Sequence, residues 1–170
     1  MSAPSLSFAD LPRGSNVLID ANVFIYALDR RSVQCRQLLD RCAREEISGM
    51  TTVEVINEVC HRLMLAEAVA AGVIARPAAI LMKRKPAALI RLTRYWPLTE
   101  SIFGLNLAII PLDENRIRRA AEIGTQYALL TNDSMLLAAA REYGVRALAS
   151  HDSDFENLDA LSVYKPADLP

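Results

Sequence analysis

The 170-residue sequence is short of cysteine: it has only Cys35, Cys42 and Cys60. The number is odd and no two stand as C-x-x-C, which argues against a disulfide framework. Cys35 and Cys42 are seven positions apart, on one face of a helix, and all three read as reduced core residues. No uninterrupted apolar run reaches the ~20 residues of a membrane span. The N-terminus has no basic stretch leading into an apolar one, so no signal peptide is expected and the location should be cytoplasmic. Also missing are a phosphate-cradling glycine loop, a Gly-x-Ser-x-Gly elbow and a zinc-ligand spacing. Charge of one sign is not in excess: 19 Lys and Arg face 20 Asp and Glu, a net charge of −1. The chain as a whole therefore does not advertise a polyanionic partner, and local charge decides the matter. One absence is local. From Ala68 through Thr99 there is no acid, while Arg76, Lys83, Arg84, Lys85, Arg91 and Arg94 all fall there. Such a stretch is either a pair of solvated helix faces or a basic arm that touches a phosphate backbone.

Hydrophobic residues make up 52% and charged residues 23%, a globular mixture long enough for one domain with a sizeable core. Asn16 to Asp20 reads as a first strand, with Val17, Leu18 and Ile19 buried on both faces; Phe24, Ala27 and Leu28 follow at helical spacing. Arg31 to Ala43 reads as a helix with Val33, Leu38, Leu39 and Cys42 inward, and Ile47 to Thr51 as a second strand. A long helix from Thr52 to about Ala71 is stopped by Gly72. Its buried stripe includes Val55, Ile56, Val59, Cys60, Leu63 and Met64, while Glu54, Glu58, His61 and Leu65 form another. Pro77 and Pro86 suit the first turns of helices at about 77–84 and 86–95, the second closed by Trp96-Pro97. Further strands are expected at Leu107–Leu112, Val145–Ala149 and Leu161–Tyr164, with helices from Asp113 to Tyr127 and Ser134 to Tyr143 between them. Strands alternating with helices imply a parallel sheet with right-handed crossovers. The expectation is an α/β fold in a single domain over 1–170, preceded by a lead-in over 1–15 and carrying a helical insertion near 73–105.

Acids recur where open α/β sheets place their ligands, outside the carboxyl ends of the strands. Asp20 follows the first strand, Glu58 lies in the second turn after the second strand, Asp133 precedes a helix, and Asp152 and Asp154 follow the fourth strand. Each has a structural alternative. Glu58 can pair with Arg62 at i+4, Asp133 can serve as a first-turn acid, and Asp152 and Asp154 can form turns. Glu54 is assigned to helix capping, as Thr51-Thr52-Val53-Glu54 has the form of a capping box. Several carboxylates in one crevice repel by about 4 kcal/mol per close pair at an effective dielectric of 20. They must hold protons or a cation, and carboxylate oxygens with water are the ligand set of Mg²⁺ or Mn²⁺. His61 lies one turn beyond Glu58 and is placed to orient it; His151 adjoins Asp152.

Four segments resemble the PIN domain, the metal-dependent ribonuclease fold of VapC-type toxins, in that family's order. They are Leu18-Ile19-Asp20-Ala21-Asn22-Val23, Thr52 with Val55-Ile56-Asn57-Glu58-Val59, Leu130-Thr131-Asn132-Asp133, and Ser150-His151-Asp152-Ser153-Asp154-Phe155. The resemblance implies a three-layer α/β/α sandwich with a five-stranded parallel sheet ordered 3-2-1-4-5. It implies Mg²⁺ or Mn²⁺ as cofactor and RNA as substrate. Asp20, Glu58, Asp133 and Asp152 match the acidic quartet that holds metal, and Asp154 matches a frequent fifth acid. Asn22 and Thr52 match polar positions beside the site, with Thr52 as a hydroxyl donor; Ser150 stands for the usual threonine. Such toxins take an antitoxin whose basic side chain occupies the acidic groove, and they commonly form homodimers. The insertion makes this chain longer than a minimal toxin. That keeps open an RNA-processing nuclease that is not a toxin, or a catalytically silent partner-binding module. An aspartyl phosphatase is disfavoured by Asn22, where a second Asp belongs.

Overall fold

The computed structural model describes residues 6–156, 158 and 161–169. Its sheet is built on Val17, Leu18 and Ile19, which are almost wholly inaccessible to solvent. A strand buried on both faces reads as a continuous apolar run, which is the signature of a central parallel strand. The strands are β1 (Leu6–Ser7), β2 (Asn16–Ile19), β3 (Ser48–Thr52), β4 (Ala108–Ile110), β5 (Ala147–Ala149) and β6 (Ser162–Lys165). They lie in the order β1-β6-β5-β2-β3-β4, with every neighbouring pair parallel. The five expected strands keep the expected 3-2-1-4-5 order. The correction is a sixth strand, β1, which pairs Leu6 with Tyr164 and Ser7 with Lys165. It lies in the expected lead-in, whose first five residues fall outside the described residues. Two residues are too few to show a period, and the pairing comes from the open edge of β6 rather than from local propensity.

The helices are α1 (Ala21–Leu28), α2 (Val33–Ala43), α3 (Val53–Ala70), α4 (Ala79–Lys83), α5 (Pro86–Leu89), α6 (Tyr95–Glu100), α7 (Glu114–Tyr127) and α8 (Thr131–Glu142). They flank the sheet, with α1 packed on α2 and α3, and α7 on α8. Side-chain caps set several starts. Ser32 Oγ accepts the Cys35 N–H, so α2 begins at Val33 and leaves that side chain 52% exposed instead of inward. Thr52 caps α3 and Asp113 caps α7. Gly72, at φ +70°, follows the end of α3 in the left-handed region expected of a helix stop. Cys35 and Cys42 are buried, Cys60 is only partly covered, and all three are free thiols.

The insertion differs from expectation. Trp96-Pro97 does not close a helix but lies in the first turn of α6. Proline is tolerated there because the first N–H groups of a helix have no partner within it. The Glu67 carboxylate receives the N–H groups of Thr93, Arg94 and Tyr95 at 2.7–3.1 Å, which fastens the start of α6 to α3. Leu65, Ala68, Ile74, Met82 and Leu92 form a small apolar cluster of their own beside the main core.

Candidate active site

β2 ends where α1 begins, and Asp20 occupies the junction. Its N–H donates to the carbonyl of Ala149 at 3.0 Å, so β2 and β5 finish side by side. One carboxylate oxygen, Oδ1, accepts the Ala21 N–H at 2.6 Å and so caps α1. The other, Oδ2, accepts the Asn22 amide and the Ser150 hydroxyl, each at 2.6 Å. Asn22 Oδ1 accepts the His151 N–H at 3.0 Å, and Ser150 Oγ accepts the Asp152 N–H at 3.0 Å. Asn22 and Ser150 thus stitch the segment after β2 to the segment after β5. Asp152 Oδ1 in turn accepts the Asp154 N–H at 2.9 Å.

Thr52, Glu54 and Glu58 from the start of α3, and Asp133 from the first turn of α8, complete the walls of a cavity of about 450 Å³ that Asp20 and Asp152 also line. Asn132 donates to Glu58 Oε2 at 3.0 Å, and Arg62 Nη1 stands 3.5 Å from Glu58 Oε1. The Glu58–Arg62 pair expected as an alternative therefore forms, and it forms inside the cavity. Asp154 is exposed and does not line the cavity. Ser150 is buried behind Asp20, and Thr52 serves as an acceptor, its oxygen taking the Val55 N–H at 3.2 Å. His61 is exposed and makes no bond to Glu58, whose partners are Asn132 and Arg62. His151 sets its ring edge against Tyr26, centroids 5.7 Å apart, and lies outside the cavity lining.

Glu54 requires a correction. The cap of α3 is Thr52, not Thr51, whose hydroxyl donates to the Ile19 carbonyl at 3.0 Å. No capping box forms, and Glu54 lines the same cavity as the other acids. Both its oxygens are buried and lack a hydrogen-bond partner among the described residues. Arg116, 1% exposed, lies behind it with Nη1 3.9 Å from Oε1, and its Nε donates to Glu142 at 3.1 Å. The signal was present in the sequence: Glu54 and Glu58 are one turn apart on the same stripe. Arg62 and Asn132 carried a weaker signal, Arg62 one turn beyond Glu58 and Asn132 next to Asp133.

Electrostatics follow from this crowding. Burial pushes the Asp20 carboxyl upward; the Ser150 and Ala21 hydrogen bonds oppose this, and the charges of Glu58 and Asp152 add to it. Asp133 is raised to about 6, first by burial and then by the charges of Asp152, Asp20, Asp154 and Glu58. Negative charge in the cavity is therefore under-compensated. Among the described residues, no three His, Cys, Asp or Glu side chains converge tightly enough to enclose an ion directly. An all-oxygen donor set with an unneutralised charge suits a hard divalent cation, and the residues present fit one.

Comparison with known proteins supports the same reading of the fold. Residues 17–161 match the family model described as PIN domain. Over 151 residues the chain is 26% identical to ribonuclease VapC2 of Methanocaldococcus jannaschii, covering 89% of this chain and 94% of that protein. A 59-residue stretch is 39% identical to ribonuclease VapC6 of the same organism, spanning 35% of this chain and 39% of that protein. Among solved structures, VapBC2 from Rickettsia felis, bound to a DNA fragment from its promoter, matches at a TM-score of 0.57 and 13% identity, covering 89% of this chain and 98% of that one. Mycobacterium tuberculosis VapC20, a sarcin-ricin loop cleaving toxin, matches at a TM-score of 0.52 and 14% identity, covering 87% and 98%. At these identities the structures speak to the fold, and the family model speaks to descent. Matched by that model over most of its length, the chain belongs to the PIN domain family.

Proposed function

We propose that the chain is a divalent-metal-dependent endoribonuclease, acting in the cytoplasm as the toxin of a toxin–antitoxin pair. The observation that carries this reading is the cavity at the carboxyl ends of β2, β3 and β5, where Asp20, Glu58, Asp133 and Asp152 meet with their charge under-compensated. The ribonuclease names of the VapC2 and VapC6 relatives, and the toxin–antitoxin setting of the structural neighbours, support it. Asp20, Glu58, Asp133 and Asp152 would hold Mg²⁺ or Mn²⁺, directly or through water, with Asp154 adding charge from the rim. Bound there, the cation would supply the positive charge that favours hydroxide over water and stabilises the oxygen leaving phosphorus. Asn22 and Ser150 fix the aim of the Asp20 carboxylate, and Asn132 and Arg62 that of Glu58. No side chain in the cavity is set up as an activated nucleophile, so the attacking group is water. The partners of this reading are RNA, an antitoxin that presents a basic side chain to the acidic cavity, and a second copy of the chain.

The test is cleavage of total RNA with Mg²⁺, Mn²⁺ or chelator, wild type beside Asp20→Asn. Cleavage should need the metal and fall by about 10²–10³-fold in the variant, the order of loss seen when a group stabilising the transition state is removed. Full activity in the variant, or in chelator, would overturn the assignment. The toxin role is tested separately, by growth arrest on expression and its relief by a small protein encoded alongside.

A further inference from the structure

The acidic cavity poses a problem for a polyanionic substrate: what chemistry needs, binding resists. Carboxylates that gather a metal also repel phosphate groups a few ångströms away. Affinity for a nucleic acid must then come from cations outside the cavity. Arg76, Lys83, Arg84, Lys85, Arg91 and Arg94 are all exposed, and none forms an ion pair among the described residues. Lys85 donates to the Val73 carbonyl, which leaves five cations whose side chains have no partner among the described residues. The segment is not a loose loop. Its cluster of buried apolar side chains and the grip of Glu67 on the start of α6 hold it to α3. The cluster includes Leu65, seven residues beyond Glu58 and so on the same face of α3, about 10 Å along its axis at a rise of 1.5 Å per residue. Trp96, the chain's one tryptophan, opens α6 and is 49% exposed. An exposed indole offers a stacking face to an unpaired base.

We infer that the segment from Arg76 to Trp96 is a substrate-gripping arm, which holds the phosphate backbone of single-stranded RNA beside the acidic cavity. The inference rests on the ribonuclease reading and adds to it the source of RNA affinity. The arm's exposed apolar residues, Ile80 and Ile90, would also suit a protein partner. The absence of any acid over 68–99, and the repulsion inside the cavity, favour RNA.

The experiment uses the full chain carrying Asp20→Asn, so that RNA is bound without being cut. A fluorescein-labelled single-stranded RNA of about 12 nucleotides is titrated in Mg²⁺ over a range of KCl. The same chain with Arg76→Gln, Lys83→Gln, Arg84→Gln and Arg91→Gln is compared with it. The expected result is a loss of affinity of at least tenfold at low salt. The slope of log affinity against log salt should shrink by about 0.7 for each phosphate that is no longer neutralised. RNA should quench Trp96 emission in the parent and quench it less in the variant. Equal affinity and equal slope in parent and variant overturn the arm and leave the nuclease standing. Unchanged RNA binding with abolished binding of poly-L-glutamate overturns it in favour of an acidic protein. A wild-type chain that neither binds nor cuts RNA removes the ribonuclease reading and the arm together. Should the four-site variant fail to fold, Lys83→Glu with Arg84→Glu applies the same criteria.

Discussion

Asp133 sits where burial and four neighbouring charges act together, and its carboxyl is raised to about 6. In the metal-free protein this sets a sign. The folded chain holds a proton between pH ~4 and ~6 that the unfolded chain, at an ordinary carboxylate pKa, has already released. The contribution of Asp133 to stability is therefore greatest below about pH 4 and is lost as pH rises through about 6. Urea midpoints measured across that window in EDTA should show this decline in wild type and a flatter profile in Asp133→Asn; identical profiles would refute it. At this scale the sequence was legible where an acid ends a buried strand. Asp20 has no competing local use strong enough to hide it, although it also caps α1. Glu54 was hidden because a first-turn acid satisfies the helix dipole without any tertiary role. The shared stripe with Glu58 hinted at another use, and the cavity lining, with Arg116 packed behind, shows it.

At the scale of elements, β3 is a strand by context. Its sequence, Ser-Gly-Met-Thr-Thr, has modest β propensity, yet it pairs with both β2 and β4. Gly49 shows what the context demands. A Cβ there would lie 2.5 Å from Leu107 Cδ2 and 2.7 Å from Cys42 Sγ, so the Leu107 and Cys42 side chains would have to shift to admit it. Gly49→Ala should cost about 1–3 kcal/mol, the range for overpacking, seen as a lower denaturation midpoint with an unchanged m-value. A neutral substitution would mean that the neighbours yield more easily than close packing allows. Strand order followed from alternation and crossover handedness, which depend on pattern alone. The edge strand β1 and helix α6 did not, since each is made by a partner: β6 in one case, Glu67 in the other.

For the whole molecule, near-neutrality conceals a division. The cavity gathers acids, the insertion gathers cations, and the net charge of −1 reports neither. Folding must hold the acids together against their repulsion, so a ligand that neutralises them stabilises the native state alone. At a concentration one hundred times its dissociation constant, Mg²⁺ or Mn²⁺ should add about 2.7 kcal/mol. For a domain of this size that corresponds to a rise in melting temperature of roughly 5–10 °C. Calorimetry should find this rise in wild type and little of it in Asp20→Asn. A shift of the same size in both would place the cation elsewhere.

The hydrogen bonds from Ser150 to Asp20 and from the His151 N–H to Asn22 join residues about 130 positions apart in the chain. A ribosome makes Asp20 130 residues before Ser150, and β2 lacks its β5 neighbour until residues 147–149 are made. The acidic centre therefore forms only once β5 and Ser150 stand beside β2 and Asp20. A partly synthesised or prematurely ended copy carries Asp20 and Glu58 but not the ends of the sheet that aim them. For a protein proposed to cut RNA, this topology delays the capacity to cut until β5 and the segment through Asp152 have been made.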